Sequence, residues 1–277
     1  NQISAVKAIT GPVLLAHREQ PALDQLLLEI SSNEASDYEG IVDGWLHEIW
    51  VVKADNLVAE ISSYINSMPA LYIADGHHRS AAASRVAKQR LEENSDLADD
   101  NPCHGFLAVS FSQNAMRILD YNRVITDLNG RSAREFLKLL EQDFIVSDSD
   151  KAIKPQQAKE FGMYLDRSWY LLSLKNEWSG ENSVSMLDVS VLNDTIIDPI
   201  LGIEDSRTDQ RIDFIGGSRG TQAIEEVVNS GSMAVGFTLF PTKMSELMAV
   251  ADAGLIMPPK STWFEPKLAD GLLSLVL

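Results

Sequence analysis

The sequence is poor in basic residues and contains a single cysteine, Cys103. One cysteine excludes an internal disulfide, which is typical of the reducing cytosol and predicts a cytoplasmic protein. Lysine and arginine number 23 against 40 aspartate and glutamate residues, so the formal net charge is −17. Nucleic-acid binders normally present a basic surface, so this charge argues against a nucleic-acid partner. It leaves room for a local basic pocket that takes a small anionic ligand.

Long apolar runs are also missing. No stretch approaches the roughly 20 apolar residues that a membrane helix requires, so we expect no membrane partner. The chain begins at Asn1, without an initiator methionine or a signal-peptide pattern, and we expect it to be a truncated fragment of a longer protein. Its 277 residues, 45% hydrophobic and 23% charged, suit one large globular domain or two ordinary ones.

The most informative stretch is residues 70–91. Residues 70–74 are apolar and predict a buried strand, Asp75 and Gly76 predict a turn, and residues 81–91 are good helix formers. The first amides of a helix lack intrahelical partners, and the helix dipole places partial positive charge there. A strand, a tight turn and a helix start in succession therefore indicate a binding site for phosphate or another anion.

Each residue of this turn also has a simpler interpretation. Asp75 is equally compatible with an ordinary helix cap, and Arg79 with a surface ion pair. His77 and His78 are equally compatible with exposed residues of a first helical turn. Adjacent histidines point in different directions on a helix, whereas zinc pairs usually stand four residues apart. We therefore predict no metal site here.

Strand and helix patterns alternate along the chain and predict an α/β (mixed α+β) fold. Residues 147–159 are polar, and we place a domain boundary there, with a first domain at 1–150 and a C-terminal α+β region at 151–277 that either stands alone or packs with the first as one unit. Ser132 and Glu135 have the spacing of a capping box. Residues 161–165 and 169–174 predict a hairpin with a three-residue connection.

Two further segments are candidate ligand contacts. Residues 212–215 predict a strand that runs into a glycine-rich turn carrying Arg219, a pattern that suits an anion but also occurs without a ligand. Residues 257–267 are too rich in proline for a helix or a central strand. There Lys260 either contacts a ligand, or the segment is a strap that packs Trp263 and Phe264 on the core. Before it, Thr242 is predicted to cap a helix.

Six motifs resemble the family called domain of unknown function 1015. They follow the family's order along most of the chain, at residues 72–79, 121–124, 161–164, 213–220, 248–254 and 257–264. The resemblance implies an N-terminal segment that this sequence lacks, which carries the family's His-Glu landmark. We do not assign that landmark to His47 and Glu48.

The Asp-Gly-His-His-Arg turn is in addition similar to the phosphate-gripping turn of the ParB/sulfiredoxin superfamily, which includes free serine kinases. That resemblance implies a ParB/sulfiredoxin-like core built around the turn. It also implies roles for individual residues. Gly76, His78 and Arg79 would grip phosphate, and Asp75 and His77 would line the site. Beyond the resemblance, we take Asp75 and His77 as the catalytic candidates and add Ser80 to the phosphate- or nucleotide-binding residues. Arg219 and Lys260 are our candidates for binding a second anionic group.

The function implied is phosphate transfer from ATP or another donor, with Mg²⁺, to a small hydroxyl-bearing metabolite. One alternative is a non-catalytic module that senses a nucleotide or anion. A second is a DNA-associated ParB-like protein, which the charge of −17 disfavours. The sequence leaves open the substrate, the catalytic base and whether the chain forms a homo-oligomer.

Overall fold

The computed structural model describes residues 2–42, 44–94, 98, 101–264 and 267–277. It is a mixed α/β protein, as the sequence predicts, with its strands in several sheets. The chain forms two compact units. We call Asn1–Met116 with Pro266–Leu277 the first unit, and Arg117–Glu265 the second unit. Within the described residues, no helix is both long enough and apolar enough to span a bilayer.

The helices and strands follow one another along the chain as follows. The helices are α1 (Gln2–Val6), α2 (Pro21–Asn33), α3 (Asp55–Ser67), α4 (His77–Glu93), α5 (Ala133–Leu140), α6 (Asp188–Leu192), α7 (Gln222–Asn229) and α8 (Met244–Asp252). The strands are β1 (Ala8–Ile9), β2 (Val13–His17), β3 (Tyr38–Val42), β4 (Trp45–Ile49), β5 (Tyr72–Asp75), β6 (Ala108–Ser112), β7 (Ile118–Leu119), β8 (Tyr121–Ile125), β9 (Phe144–Ser149), β10 (Glu160–Leu165), β11 (Ser168–Leu174), β12 (Ile212–Gly216), β13 (Val235–Leu239), β14 (Trp263–Phe264) and β15 (Leu275–Val276).

The first unit is organised around a three-stranded sheet in the order β5-β2-β6. The central strand β2 pairs antiparallel with β5 and parallel with β6, and every residue of Val13–His17 is buried. An uninterrupted apolar run suits this position because a central strand is covered on both faces. The sheet places the start of β2 beside the end of β5, where Leu14 is opposite Asp75.

Strands β3 and β4 form a separate hairpin, although residues 31–40 are polar and acidic, a composition typical of a loop. Helix α2 extends to Asn33, and Tyr38–Val42 pairs with Trp45–Ile49. All of β3 is exposed and every residue of β4 is exposed or half-buried, so neither strand carries the alternation of a half-buried sheet. Without that alternation, the pattern of the sequence does not indicate β3.

The second unit contains a six-stranded antiparallel sheet in the order β12-β8-β13-β10-β11-β9. Side chains alternate between its faces. Phe161, Met163 and Leu165 of β10 enter the main core, whereas Tyr164 between them packs in a second cluster with Ile224 of α7. Both faces are therefore covered, and this unit holds most of the large buried side chains.

The predicted boundary at 150 differs from the division between these units. Strand β9 (Phe144–Ser149) pairs with β11 over its whole length, which places the polar residues 147–149 inside the sheet of the second unit. Half of the side chains of β9 are exposed, because it is an edge strand. An exposed edge strand and a linker have similar compositions, which explains the difference.

Two predictions that rest on short sequence patterns, a capping box and a hairpin, agree with the structure. Ser132 and Glu135 form the capping box at α5. The hairpin of β10 and β11 is present, but its connection has two residues: Asp166 and Arg167 both have positive φ, at 47° and 64°. Positive φ at both central positions matches the twist of the strands; aspartate is a usual residue of such a turn, whereas arginine at the second position is not.

Thr242 does not cap α8. Its hydroxyl donates to the carbonyl of Ser261 at 2.9 Å, and the amide of Lys243 is bonded instead by the Glu246 carboxylate at 2.8 Å. The contact of Thr242 fixes the proline-rich segment to the second unit. Trp263 and Phe264 then pair with β7, and Trp263 packs edge-on against Tyr121 at 5.2 Å, so these two residues pack as a strap. A ligand contact by Lys260 stays a prediction.

A buried histidine ends β2. His17 is 2% exposed, and its Nδ1 lies 2.8 Å from the Ser110 hydroxyl. Its Nε2 has no hydrogen-bond partner among the described residues. Burial lowers the pKa of His17 below its usual value, and the charge of Asp24 opposes this only in part. His17 is therefore neutral in the folded protein under conditions where it is charged in the unfolded chain.

This histidine makes stability depend on pH. Because the folded pKa lies below the unfolded one, the unfolded state binds more protons as the pH falls below about 6.5, and each tenfold difference in proton affinity between the two states costs about 1.4 kcal/mol of folding free energy. We expect His17→Gln to lose less stability than the parent protein between neutral pH and pH 5, measured by urea denaturation. The exposed His104, replaced in the same way, is the control. Equal losses in the parent and His17→Gln proteins would contradict the assignment.

Candidate functional site

The turn between β5 and α4 has the geometry that the sequence predicts. Gly76 is the N-cap residue of α4, with φ 92° and ψ 22° in the left-handed region, and the 17-residue helix begins at His77. A Cβ at position 76 would lie 3.0 Å from Nε of Arg79 and 3.2 Å from Cα of Val13. Both the backbone conformation and the crowding require glycine here.

The start of α4 is not capped by any side chain among the described residues. Asp75 does not act as a helix cap, because its Oδ1 accepts a hydrogen bond from the amide of Gly76 at 2.7 Å. The first-turn amides of α4 are thus left without a side-chain acceptor, at the positive end of the helix dipole. This is the arrangement that favours an anion at a helix N-terminus.

Arg79 folds back over this turn and holds a carboxylate. Its Nη1 donates to Oδ1 of Asp270 at 3.2 Å, with side chains 35% and 70% exposed respectively. Gly11 gives this pair room, since a Cβ there would lie 2.4 Å from Oδ1 of Asp270 and 3.0 Å from Nη1 of Arg79. The guanidinium of Arg79 therefore already binds one anionic group beside the turn.

The remaining predicted residues of the turn have varied environments. Oδ2 of Asp75 lies 3.3 Å from Nζ of Lys267, so both oxygens of this carboxylate have partners. His77 and His78 are exposed on the first turn of α4. The Ser80 hydroxyl donates to the carbonyl of His77 at 2.9 Å. In this structure the Ser80 side chain is therefore hydrogen-bonded to the backbone of its own helix.

Arg219 and Lys260 belong to the second unit, whereas the Asp75–Arg79 turn belongs to the first. Arg219 is exposed at the end of a 3₁₀ turn, Gly217–Arg219, that follows β12. Lys260 is exposed, and its Nζ lies 5.7 Å from the ring centroid of Tyr121. A role for these two residues beside the turn stays a prediction.

The sequence did not indicate three residues that lie beside the turn and contact it. Gly11, Lys267 and Asp270 approach Asp75 and Arg79 from distant parts of the chain. No local pattern reports a contact across about 190 residues. For Gly11 there was a usable signal, a Gly-Pro pair directly before a buried strand. Within the described residues, no group of three or more His, Cys, Asp or Glu side chains is placed to hold a metal ion.

Solved structures that resemble this chain are distant from it. A conserved hypothetical protein from Pyrococcus furiosus is 12% identical with a TM-score of 0.40, over 97% of this chain and 82% of that one. A free serine kinase in complex with AMP is 14% identical with a TM-score of 0.42, over 97% and 80%. A variant of a free serine kinase in complex with ADP is 13% identical with a TM-score of 0.43, over 97% and 80%.

Comparison by sequence gives a firmer result. No curated protein matches the chain. The model of the family described as protein of unknown function (DUF1015) matches residues 1–190, which is more than half of the sequence and includes the whole Asp75–Arg79 turn. This chain belongs to the DUF1015 family.

Proposed function

We propose that the Asp75–Arg79 turn binds the phosphate groups of a nucleotide and that the protein transfers phosphate to a small hydroxyl-bearing metabolite. The observation that supports the binding step best is the pairing of Arg79 with the Asp270 carboxylate beside an uncapped helix start. Two oxygens of a phosphate can accept the paired N–H groups of a guanidinium, as the two oxygens of a carboxylate do. On binding, it would replace Asp270 on Arg79.

Phosphate transfer in this proposal follows the general scheme for such reactions. The hydroxyl oxygen of the metabolite forms a bond to the terminal phosphorus, the bond from that phosphorus to the donor's bridging oxygen breaks, and the hydroxyl proton passes to a base. Arg79 and the first amides of α4 would stabilise charge on the moving phosphoryl group. Asp75 and His77 are the candidates for the base, and Mg²⁺ would arrive with the nucleotide.

The binding step is tested by calorimetric titration of ATP, ADP and pyrophosphate into the protein, each with and without Mg²⁺. We expect saturable binding of at least one of these ligands at or below about 1 mM. Absence of binding by all three at that concentration would remove the proposal. Transfer is tested separately, by mass spectrometry of hydroxyl-bearing metabolites incubated with the protein and the donor that binds.

Asp270→Asn should strengthen phosphate binding. The Asp270 carboxylate competes with phosphate for Arg79, and an exposed ion pair of this kind is worth up to about 1 kcal/mol, so we expect an affinity up to about fivefold higher. The measurement is the calorimetric dissociation constant for the nucleotide that binds. A matched control is Glu92→Gln, which removes another exposed carboxylate of the first unit, paired with Lys88 at 4.0 Å. Weaker binding by Asp270→Asn would show that Asp270 supports the ligand instead of competing with it.

A second candidate function is a non-catalytic module that binds a nucleotide or anion and reports it to a partner. The observation that favours it is that both carboxylate oxygens of Asp75 are engaged, by the Gly76 amide and by Lys267, which limits its use as a base. This candidate predicts the same binding without transfer. Turnover by the parent protein that is lost in Asp75→Asn, with binding retained, would decide for the enzyme.

A further inference from the structure

The second unit contains a cavity of about 540 Å³, whose volume is typical of a small-molecule site. Its walls include apolar side chains of Val189, Ile197 and Phe214. At its edge lie Leu255 and Ile256, and Ile256 is 88% exposed. A large aliphatic side chain this exposed beside a cavity is available to contact a bound molecule.

One wall of the cavity carries a buried cation, Arg123, which is 4% exposed. It lies on β8, an interior strand of the six-stranded sheet, and its guanidinium stacks over the ring of Phe214 at 5.5 Å. It donates from Nη1 to the carbonyl of Tyr121 and from Nη2 to that of Lys260 at 3.1 Å. Neither acceptor is charged.

A buried guanidinium without a carboxylate partner is costly. Charged side chains are rarely fully buried unless they are paired. Among the described residues, Arg123 forms no ion pair, and burial lowers its pKa to about 10. The two carbonyl contacts use two of the five N–H groups of an arginine. An anionic group entering the cavity would supply the missing counter-charge.

The other charges of the cavity restrict which anion fits. Its lining contains two cations and three carboxylates, which are Arg123, Arg207, Asp194, Glu204 and Asp205. Arg207 and Asp205 neutralise each other through two hydrogen bonds of 2.9 Å and 3.0 Å. What remains is the buried guanidinium of Arg123 and the exposed carboxylates of Asp194 and Glu204. A polyphosphate would be repelled by these two carboxylates, whereas a molecule with one carboxylate and one ammonium group suits both signs.

We propose that this cavity binds a small zwitterion of the amino-acid type, with its carboxylate on Arg123, its ammonium group toward Asp194 and Glu204, and an apolar side chain against Leu255 and Ile256. The site lies within the second unit and its residues are separate from the Asp75–Arg79 turn. It therefore stands whether or not that turn binds a nucleotide.

The test is calorimetric titration of the whole protein with L-phenylalanine and L-leucine. Each is compared with the acid that lacks the ammonium group (3-phenylpropanoate, 4-methylpentanoate) and the amine that lacks the carboxylate (2-phenylethylamine, 3-methylbutylamine). We expect at least one amino acid to bind, and each of its two analogues to bind at least about tenfold more weakly than that amino acid. No binding of either amino acid at about 10 mM would overturn the proposal, as would an acid or amine that binds as tightly as its parent. ATP binding that Arg123→Lys abolishes would also overturn it.

Variants locate the site. Arg123→Lys should weaken amino-acid binding at least about tenfold, because a compact ammonium does not reproduce the guanidinium fork. Circular dichroism shows whether the Arg123→Lys variant folds. The exposed pair Asp194→Asn with Glu204→Gln leaves the core intact and should abolish the preference for the amino acid over its deaminated acid. Asp198→Asn, exposed on the same segment but outside the cavity, is the control. Retention of that preference in the double variant would contradict the assignment of the ammonium site.

Discussion

Replacing Arg79 with glutamine is expected to weaken binding of ATP, ADP or pyrophosphate by about tenfold to a hundredfold, since a hydrogen bond to a charged group is worth about 1.5 to 3 kcal/mol. The fold should be preserved, because the only ion pair described for Arg79 is the partly exposed one with Asp270. Exposed pairs of this kind contribute at most about 1 kcal/mol to stability. The measurement is the dissociation constant by calorimetry, together with the melting temperature of both proteins.

The matched control for this change is Arg85→Gln. Arg85 lies on the same helix, α4, and is exposed, so its replacement removes the same charge at a distance from the turn. It should alter nucleotide affinity only slightly, through the net charge. If the two variants weaken binding equally, the effect is one of overall electrostatics and the turn has no special role.

Truncating Phe161 to alanine is expected to cost about 3 to 5 kcal/mol of folding free energy, the range seen when a large aromatic side chain is removed from a packed core. Phe161 is fully buried in the main core of the second unit and packs edge-on against Phe144 at 5.9 Å. For a protein of this size each kcal/mol lowers the melting temperature by about 2 to 4 °C, so a decrease of about 10 °C is expected. Urea denaturation and a thermal melt both measure it.

Ile145→Ala provides the comparison for this core truncation. Ile145 lies on edge strand β9 and is more than half exposed, so its loss should change the free energy of unfolding by no more than about 0.5 kcal/mol. Equal destabilisation by Phe161→Ala and Ile145→Ala would contradict the description of the core.

The sequence predicts this structure best where neighbouring residues determine the outcome. The strand, turn and helix at residues 72–93 follow from an apolar run, an Asp-Gly pair and a series of helix formers, and the structure has all three. The capping box at Ser132 is decided within four residues. The conformation of Gly76 is also local, because few residue types tolerate positive φ.

Features that depend on distant contacts were not predictable. The ion pairs Arg79–Asp270 and Asp75–Lys267 join segments about 190 residues apart, so no window of sequence contains them. Threonine is a common N-cap residue, but the hydroxyl of Thr242 donates to the carbonyl of Ser261 instead of capping α8. Arg123 lies in the motif at residues 121–124, but its burial against Phe214 and its bond to the carbonyl of Lys260 depend on distant segments that no window of sequence contains.

The most direct test of the proposed phosphate site is a ¹H–¹⁵N correlation spectrum of the protein recorded during titration with ADP and Mg²⁺. We expect the amide signals of Gly76, His77, His78 and Arg79 to shift first and saturate together, and these shifts to be lost in Arg79→Gln. Saturable shifts confined to other residues, with the amides of the Asp75–Arg79 turn unchanged, would contradict it.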